Sequence, residues 1–120
     1  ENTANIDVSV LLISCGRPQC LRAALDLLCV QDFSRSRFEV IVVDDVSECP
    51  LSAGVLDGLD DTFVRECLRY VNLQQNVPLD AKLDLATSLS RGEVLMRWHE
   101  DSYYGPTRIR SQALPILTGE

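Results

Sequence analysis

The run Phe38-Glu-Val-Ile-Val-Val-Asp-Asp-Val-Ser47 constrains this chain more than any other stretch. Apolar, mostly β-branched residues lead directly into two carboxylates and, after Val46, a hydroxyl. A strand that is hydrophobic on both faces belongs inside a sheet covered by helices. Two adjacent Asp residues at its end cannot be buried unpaired without a large desolvation cost. They are therefore expected to open onto solvent or a ligand. In open α/β sheets, that edge is where ligands bind. Val94-Leu-Met-Arg-Trp-His-Glu-Asp-Ser102 repeats the arrangement. Two apolar strands ending in acid clusters point to a polar crevice compatible with a metal ion.

The rest of the chain supplies the covering helices. Val8 to Ser14 reads as a buried strand. Pro18 suits a helix first turn, and Leu21, Ala24, Leu25 and Leu28 follow at helical spacing. This helix should fade between Gln31 and Phe33. Pro50, Gly54 and Gly58 make any helix over 46–60 short or loose. Phe63, Val64, Cys67 and Leu68 fit another helical turn, and Tyr70 to Leu73 a third strand. Leu79, Leu83, Ala86 and Leu89 define an apolar helix face, which Arg91-Gly92 is expected to close by the usual C-terminal glycine conformation. Val94 to Trp98 reads as the fourth strand. Pro106 is expected to start a last helix and Pro115 to end or kink it. Strands and helices alternating with short connections imply a mainly parallel sheet with right-handed crossovers. The fold class is therefore α/β, a Rossmann-like three-layer α/β/α sandwich.

The 120 residues fit a single domain, 1–120, with a real core. The net charge of −7 argues against nonspecific nucleic-acid binding, which needs basic charge to displace counterions. No apolar run approaches the roughly 20 residues needed to cross a bilayer. Five Cys, an odd number without a Cys-x-x-Cys spacing, argue against a disulfide framework or a zinc ribbon. They favour a reducing compartment such as the cytoplasm. The chain starts without Met, so it is expected to be a piece of a longer protein.

In order and spacing, these residues resemble the family-two glycosyltransferases, which have the GT-A fold. The family's opening reads like V-S-V-I-I-P-T-Y-N-R-P-x-x-L-x-x-A-L. Here it is Val8-Ser-Val-Leu-Leu-Ile-Ser-Cys-Gly-Arg-Pro-Gln-Cys-Leu-Arg-Ala-Ala-Leu25. The second strand, F-E-I-I-V-V-D-D-G-S in the family, is Phe38 to Ser47, with Val46 in place of Gly. A family branch reads A-K-R-N-L-A and later R-G-E-I-I-A-H-W-D-D-D-D-W-Y-A-P-D-R-I. The counterparts are Ala81-Lys-Leu-Asp-Leu-Ala86 and Arg91-Gly-Glu-Val-Leu-Met-Arg-Trp-His-Glu-Asp-Ser-Tyr-Tyr-Gly-Pro-Thr-Arg-Ile109.

The resemblance implies a sheet order of 3-2-1-4. It also implies a donor-binding domain for a nucleoside-diphosphate sugar, working with manganese or magnesium in an inverting transfer to an acceptor that is not specified. Asp44 and Asp45 take the position that holds the nucleoside, and Ser14 and Glu100 line the same crevice. Asp101 matches the metal-binding last Asp of the D-x-D motif. His99 stands in place of the motif's first acid and can still ligate manganese, without adding negative charge. Arg17 is placed to contact a phosphate or to pair with Asp44 or Asp45. Lys82 is placed to reach a phosphate, although an exposed helix Lys is more often simply solvated. Trp98 is expected to pack in the core. Tyr103 and Tyr104 suit either stacking on a ligand or packing the last helix. The catalytic base of the family has no counterpart in this chain. The altered D-x-D and the Leu83-Asp84 pair, where the family has Arg-Asn, keep a second reading open: a noncatalytic domain that retains the fold.

Overall fold

The structure is a computed structural model that describes residues 6–14, 18–44, 54–73, 75, 77–99 and 102–119. The element order is β1 (Val8–Ser14), α1 (Pro18–Cys29), β2 (Phe38–Asp44), α2 (Asp61–Glu66), β3 (Leu68–Asn72), α3 (Leu79–Leu89), β4 (Val94–His99) and α4 (Arg108–Thr118). The strands form one parallel sheet in the order β3-β2-β1-β4, as expected. Because β1 and β2 are both central, every residue of each is buried.

Strand alternation sorts the side chains onto two faces. Val8, Val10, Leu12, Phe38, Val40, Val42, Val94, Met96 and Trp98 pack against Leu21, Ala24, Leu25 and Leu28 of α1, Phe63 of α2, and Ile109 and Ala113 of α4. Leu11, Ile13, Ile41 and Val43 meet Ala86 of α3 on the other face, with Leu83, Leu85 and Leu89 alongside. The expected core positions, including Leu12, Leu28, Ile41 and Met96, are all buried.

Several boundaries differ from the sequence reading. β3 begins at Leu68, earlier than Tyr70, and Cys67 closes α2 as its C-cap. Asp60 caps that helix by accepting from the backbone N–H groups of Thr62 and Phe63, a sequence-local signal for its start. α4 starts at Arg108 and runs through Pro115 to Thr118. Pro115 is exposed, and burial of Ile109 and Ala113, six and two residues earlier, holds the helix despite the missing N–H. A left-handed Gly119 ends it.

Gly92 does not close α3 as a left-handed cap. Ser90 caps that helix in an extended conformation, and Gly92 is not among the glycines with positive φ. Its role is close approach: a Cβ there would lie 2.7 Å from both Ser9 N and Val8 C. The turn into β4 thus packs directly on the β1 backbone.

That contact belongs to a polar network at the N-terminal edge of the sheet. Glu39 is fully buried. It accepts from Ser9 Oγ (2.6 Å), the Arg91 backbone N–H (2.8 Å), Arg91 Nε (3.0 Å) and Arg69 Nη1 (3.1 Å). Ser9 Oγ in turn accepts from Gly92 N at 2.8 Å. Burial pushes the Glu39 carboxyl up. The hydrogen bonds from Ser9, Arg91 and Arg69 outweigh that effect and hold it below its ordinary value.

Candidate functional site

The opposite, C-terminal edge of the sheet is built differently. Ser14, the last residue of β1, lies in register with Asp44, the last residue of β2. Both side chains are fully buried. Asp44 does not open to solvent as the sequence suggested. Tyr70 closes over it, and Tyr70 Oη donates to Asp44 Oδ2 at 2.6 Å. Asn72, level with Asp44 on β3, donates from Nδ2 to Tyr70 Oη at 3.4 Å.

Buried polar atoms without a hydrogen-bond partner gather at this edge. Among the described residues they are Ser14 Oγ, Asn72 Oδ1, Arg97 Nε, Trp98 Nε1 and Arg108 Nη1. Ser14 and Asn72 end their strands, and Arg97 and Trp98 lie in the last half of β4. Arg108 lies over the Trp98 ring, 4.9 Å from its centroid. Native interiors leave few such groups, and each one calls for an explanation. The Glu39 network at the other edge is fully satisfied, so the deficit is confined to the edge where α/β sheets bind ligands.

The two faces of this edge differ in charge. Ser14, Asp44, Tyr70, Asn72 and Trp98 fall on the side of α1 and α4 by strand register. Arg97 and His99 fall on the α3 side, level with Leu11 and Ile13. Lys82 joins them there. It sits one turn before Ala86 on the same helix face and is buried, with only 4% of its surface exposed. The expectation of a solvated lysine is therefore corrected: the sheet-facing side of α3 includes this ammonium group. His99 is exposed at the end of β4. Arg17, Asp45, Glu100 and Asp101 lie outside the described residues. Among the described residues, no group of three or more His, Cys, Asp or Glu side chains could hold a metal ion. Of the two residues expected to ligate a metal, His99 and Asp101, only His99 is among the described residues, and its imidazole can serve as one ligand to manganese.

The aromatic pair after the acid loop divides its roles. Tyr104 packs edge-on against Trp98 with centroids 4.6 Å apart, and Arg108 lies 3.9 Å from the Tyr104 ring centroid. Tyr103 is 78% exposed. Trp98 is fully buried, as expected.

A cavity of about 400 Å³ lies elsewhere, lined by Gln31, Phe33, Arg37, Arg110 and Leu114. It borders the loop into β2, away from the residues above. Its arginines are already paired, Arg37 with Asp7 and Arg110 with Asp32. The chemistry of the C-terminal edge, rather than the size of this cavity, identifies the site.

Residues 9–120 match the family described as Glycosyl transferase family 2. The chain belongs to that family. Many solved structures share its fold, and three of them illustrate the likeness. S. aureus TarS (residues 1–349) is 22% identical with a TM-score of 0.75, covering 94% of this chain and 33% of that one. The same TarS fragment in complex with UDP-GlcNAc is 23% identical with a TM-score of 0.76, covering 94% and 32%. The mannosyltransferase PcManGT from Pyrobaculum calidifontis, in complex with GDP-Man and Mn2+, is 21% identical with a TM-score of 0.72, covering 92% and 32%. This family 2 chain spans about a third of the length of each of them. No curated protein sequence matches the chain. No helix among the described residues is long and apolar enough to cross a membrane.

Sequence reasoning missed Tyr70, Asn72 and Arg97. The alternation Tyr70-x-Asn72 at the end of a strand was a signal in principle. Its use required knowing that β3 pairs with β2 in a register that sets these residues beside Asp44.

Proposed function

We propose that this chain is the donor-binding domain of a glycosyltransferase, one unit of a longer protein that transfers a sugar, with inversion, from a nucleoside-diphosphate sugar. The observation that carries the proposal is the set of unpartnered buried polar atoms at the C-terminal edge. A nucleotide sugar offers hydroxyl, carbonyl and phosphate oxygens that match a donor on a half-buried side chain such as Arg108, and hydroxyl and amide donors that match Asn72 Oδ1. Asp45 is assigned to the nucleoside, while Asp44, fully buried and held by Tyr70, braces the end of β2. By the family resemblance Glu100 is assigned to the same cleft, with Ser14 buried at the end of β1, and Lys82 and Arg17 are assigned to the phosphates. The acceptor, and the group that deprotonates it, are assigned to no residue of this chain.

His99 and Asp101 would hold a divalent ion, with phosphate oxygens and water completing its shell. An ion held there would supply positive charge against the diphosphate leaving group. The PcManGT complex with GDP-Man and Mn2+ supports that reading for a relative of the same fold.

The test is calorimetric titration of the full-length protein with UDP-sugars and GDP-sugars, with and without manganese. Manganese-dependent binding of a sugar nucleotide is expected. Binding of no sugar nucleotide under either condition would favour the noncatalytic domain instead.

A further inference from the structure

Ser14, Asp44 and Asn72 stand in one row across the C-terminal edge, the last residues of β1, β2 and β3 paired in register. Strand alternation puts all three on the face of α1 and α4. Ser14 and Asp44, on the central strands, are fully buried. Asn72 ends the edge strand and is half-buried. The backbone N–H of Leu73 donates to Asp44 O at 2.8 Å and carries the β2–β3 ladder to the end of the row. Hydrogen bonds here run in one direction. Tyr70 Oη donates its one proton to Asp44 Oδ2 at 2.6 Å. Toward Asn72 the phenol oxygen can then only accept. Asn72 therefore turns Nδ2 to it, at 3.4 Å, and a flipped amide would set Oδ1 against another oxygen lone pair. Oδ1 is left buried, and no donor among the described residues reaches it.

An amide fixed in this way is a directional acceptor, and leaving it unmet is costly. Hydroxyl groups rotate and serve as donor or acceptor alike, so a fixed acceptor discriminates little among them. A nucleobase presents a rigid donor in the plane of its ring, N3–H in uracil or N1–H in guanine. Cytosine and adenine carry an acceptor nitrogen at the corresponding place, which would meet Oδ1 lone pair to lone pair. Proteins read unstacked bases along this Watson–Crick edge. Position agrees with that match. β3 and β4 are the two edges of the sheet, three strand spacings or about 14 Å apart. With the diphosphate assigned to the end of β4 beside His99, an extended nucleotide reaches back across β1 and β2 and sets its base at β3.

We propose that Asn72 selects the base of the donor: its Oδ1 accepts the ring N–H of the nucleobase and favours uracil or guanine over cytosine or adenine. Tyr70 and Asp44 hold the amide in the orientation that makes this choice. The proposal rests on the donor-binding reading above and deepens it by naming the class of nucleotide.

The experiment titrates the full-length protein with UDP against CDP and with GDP against ADP, pairs matched in ring size, by calorimetry with manganese present. Wild type is expected to bind UDP over CDP, or GDP over ADP, by roughly 10-fold, about 1.4 kcal/mol. The pair that shows the gap identifies the base. Asn72→Leu should bring that ratio to within roughly 2-fold, and the ratio does not depend on what fraction of the sample is folded. Tyr70→Phe frees the amide to turn Nδ2 toward the ligand. Its ratio should also narrow, through a gain by the cytosine or adenine nucleotide, which a purely structural role for Tyr70 does not produce. This variant takes the place of Asn72→Leu should the latter not fold. Equal or reversed binding within both pairs in wild type, or a preference unchanged in these variants, overturns the proposal while leaving the donor-binding reading intact. If the wild-type protein binds none of the four nucleotides, with or without manganese, the donor-binding reading fails and this proposal fails with it.

Discussion

Tyr70 Oη donates to Asp44 Oδ2 at 2.6 Å from the neighbouring strand, and the carboxylate it meets is fully buried. Tyr70 is level with Val42, one pleat below Asp44. Its long ring therefore spans the offset and brings the phenol to the strand end. This pair converts a desolvated acid at the ligand edge into a hydrogen-bonded one, fixed in orientation before any ligand arrives.

Tyr70→Phe removes that donor and leaves the ring. The expected cost is about 1–3 kcal/mol, because a buried charged acceptor loses a partner. Urea melts should show a lower midpoint with an unchanged slope. A midpoint equal to wild type would mean that Asp44 does not depend on Tyr70.

Glu39 makes stability depend on pH. Its folded-state carboxyl titrates below the ordinary range of a free glutamate, so its contribution is fully present above that range. The contribution is lost as pH falls through the folded value. Glu39→Gln should destabilise at neutral pH by about 2–3 kcal/mol, less than a fully buried pair because both guanidinium groups are partly exposed to solvent. The variant should also show a shallower loss of stability on acidification below about pH 4.5. Parallel pH profiles for variant and wild type would count against the network as described.

Gly92→Ala tests close packing rather than backbone conformation. The added Cβ would fall 2.7 Å from the β1 backbone at Ser9 N and Val8 C, and backbone in a central strand cannot rotate away. A cost of about 1–3 kcal/mol is expected from this overpacking, read as a fall in Tm. A variant as stable as wild type would show that the turn into β4 does not bear on β1 so tightly.

His99→Asp places a carboxylate at the end of β4, where the metal is proposed to bind. Under the metal reading, it should tighten manganese-dependent binding of a nucleoside diphosphate by roughly 10-fold, about 1.4 kcal/mol. Asp101→Ala should abolish the manganese effect. Titrations in which manganese changes nothing in wild type or in His99→Asp would remove the metal from the account.

The sequence alone was enough to read the layers of the fold. The apolar, largely β-branched runs in Val8–Ser14 and Phe38–Asp44 read as buried strands, and both are central and fully buried. The spacing of Leu21, Leu25 and Leu28 is helical, and alternation of the two periods leaves a parallel sheet. These features are local, so pattern reveals them. The family resemblance, carried by the spacing of the acid motifs, was equally legible.

What the tertiary structure decided was where polar groups go. Gly92 looked like a helix cap and is instead a contact with β1. Lys82 looked solvated, yet α3 turns it toward the sheet. Pro115 looked like a helix end, yet packing of Ile109 and Ala113 carries α4 past it. The surroundings of Tyr70, Asn72, Arg97 and Arg108 come from strands and helices distant in the chain, so even the Tyr70-x-Asn72 alternation could not be used without the register. Register and layer contacts set them, and no local pattern encodes a partner that lies across a sheet.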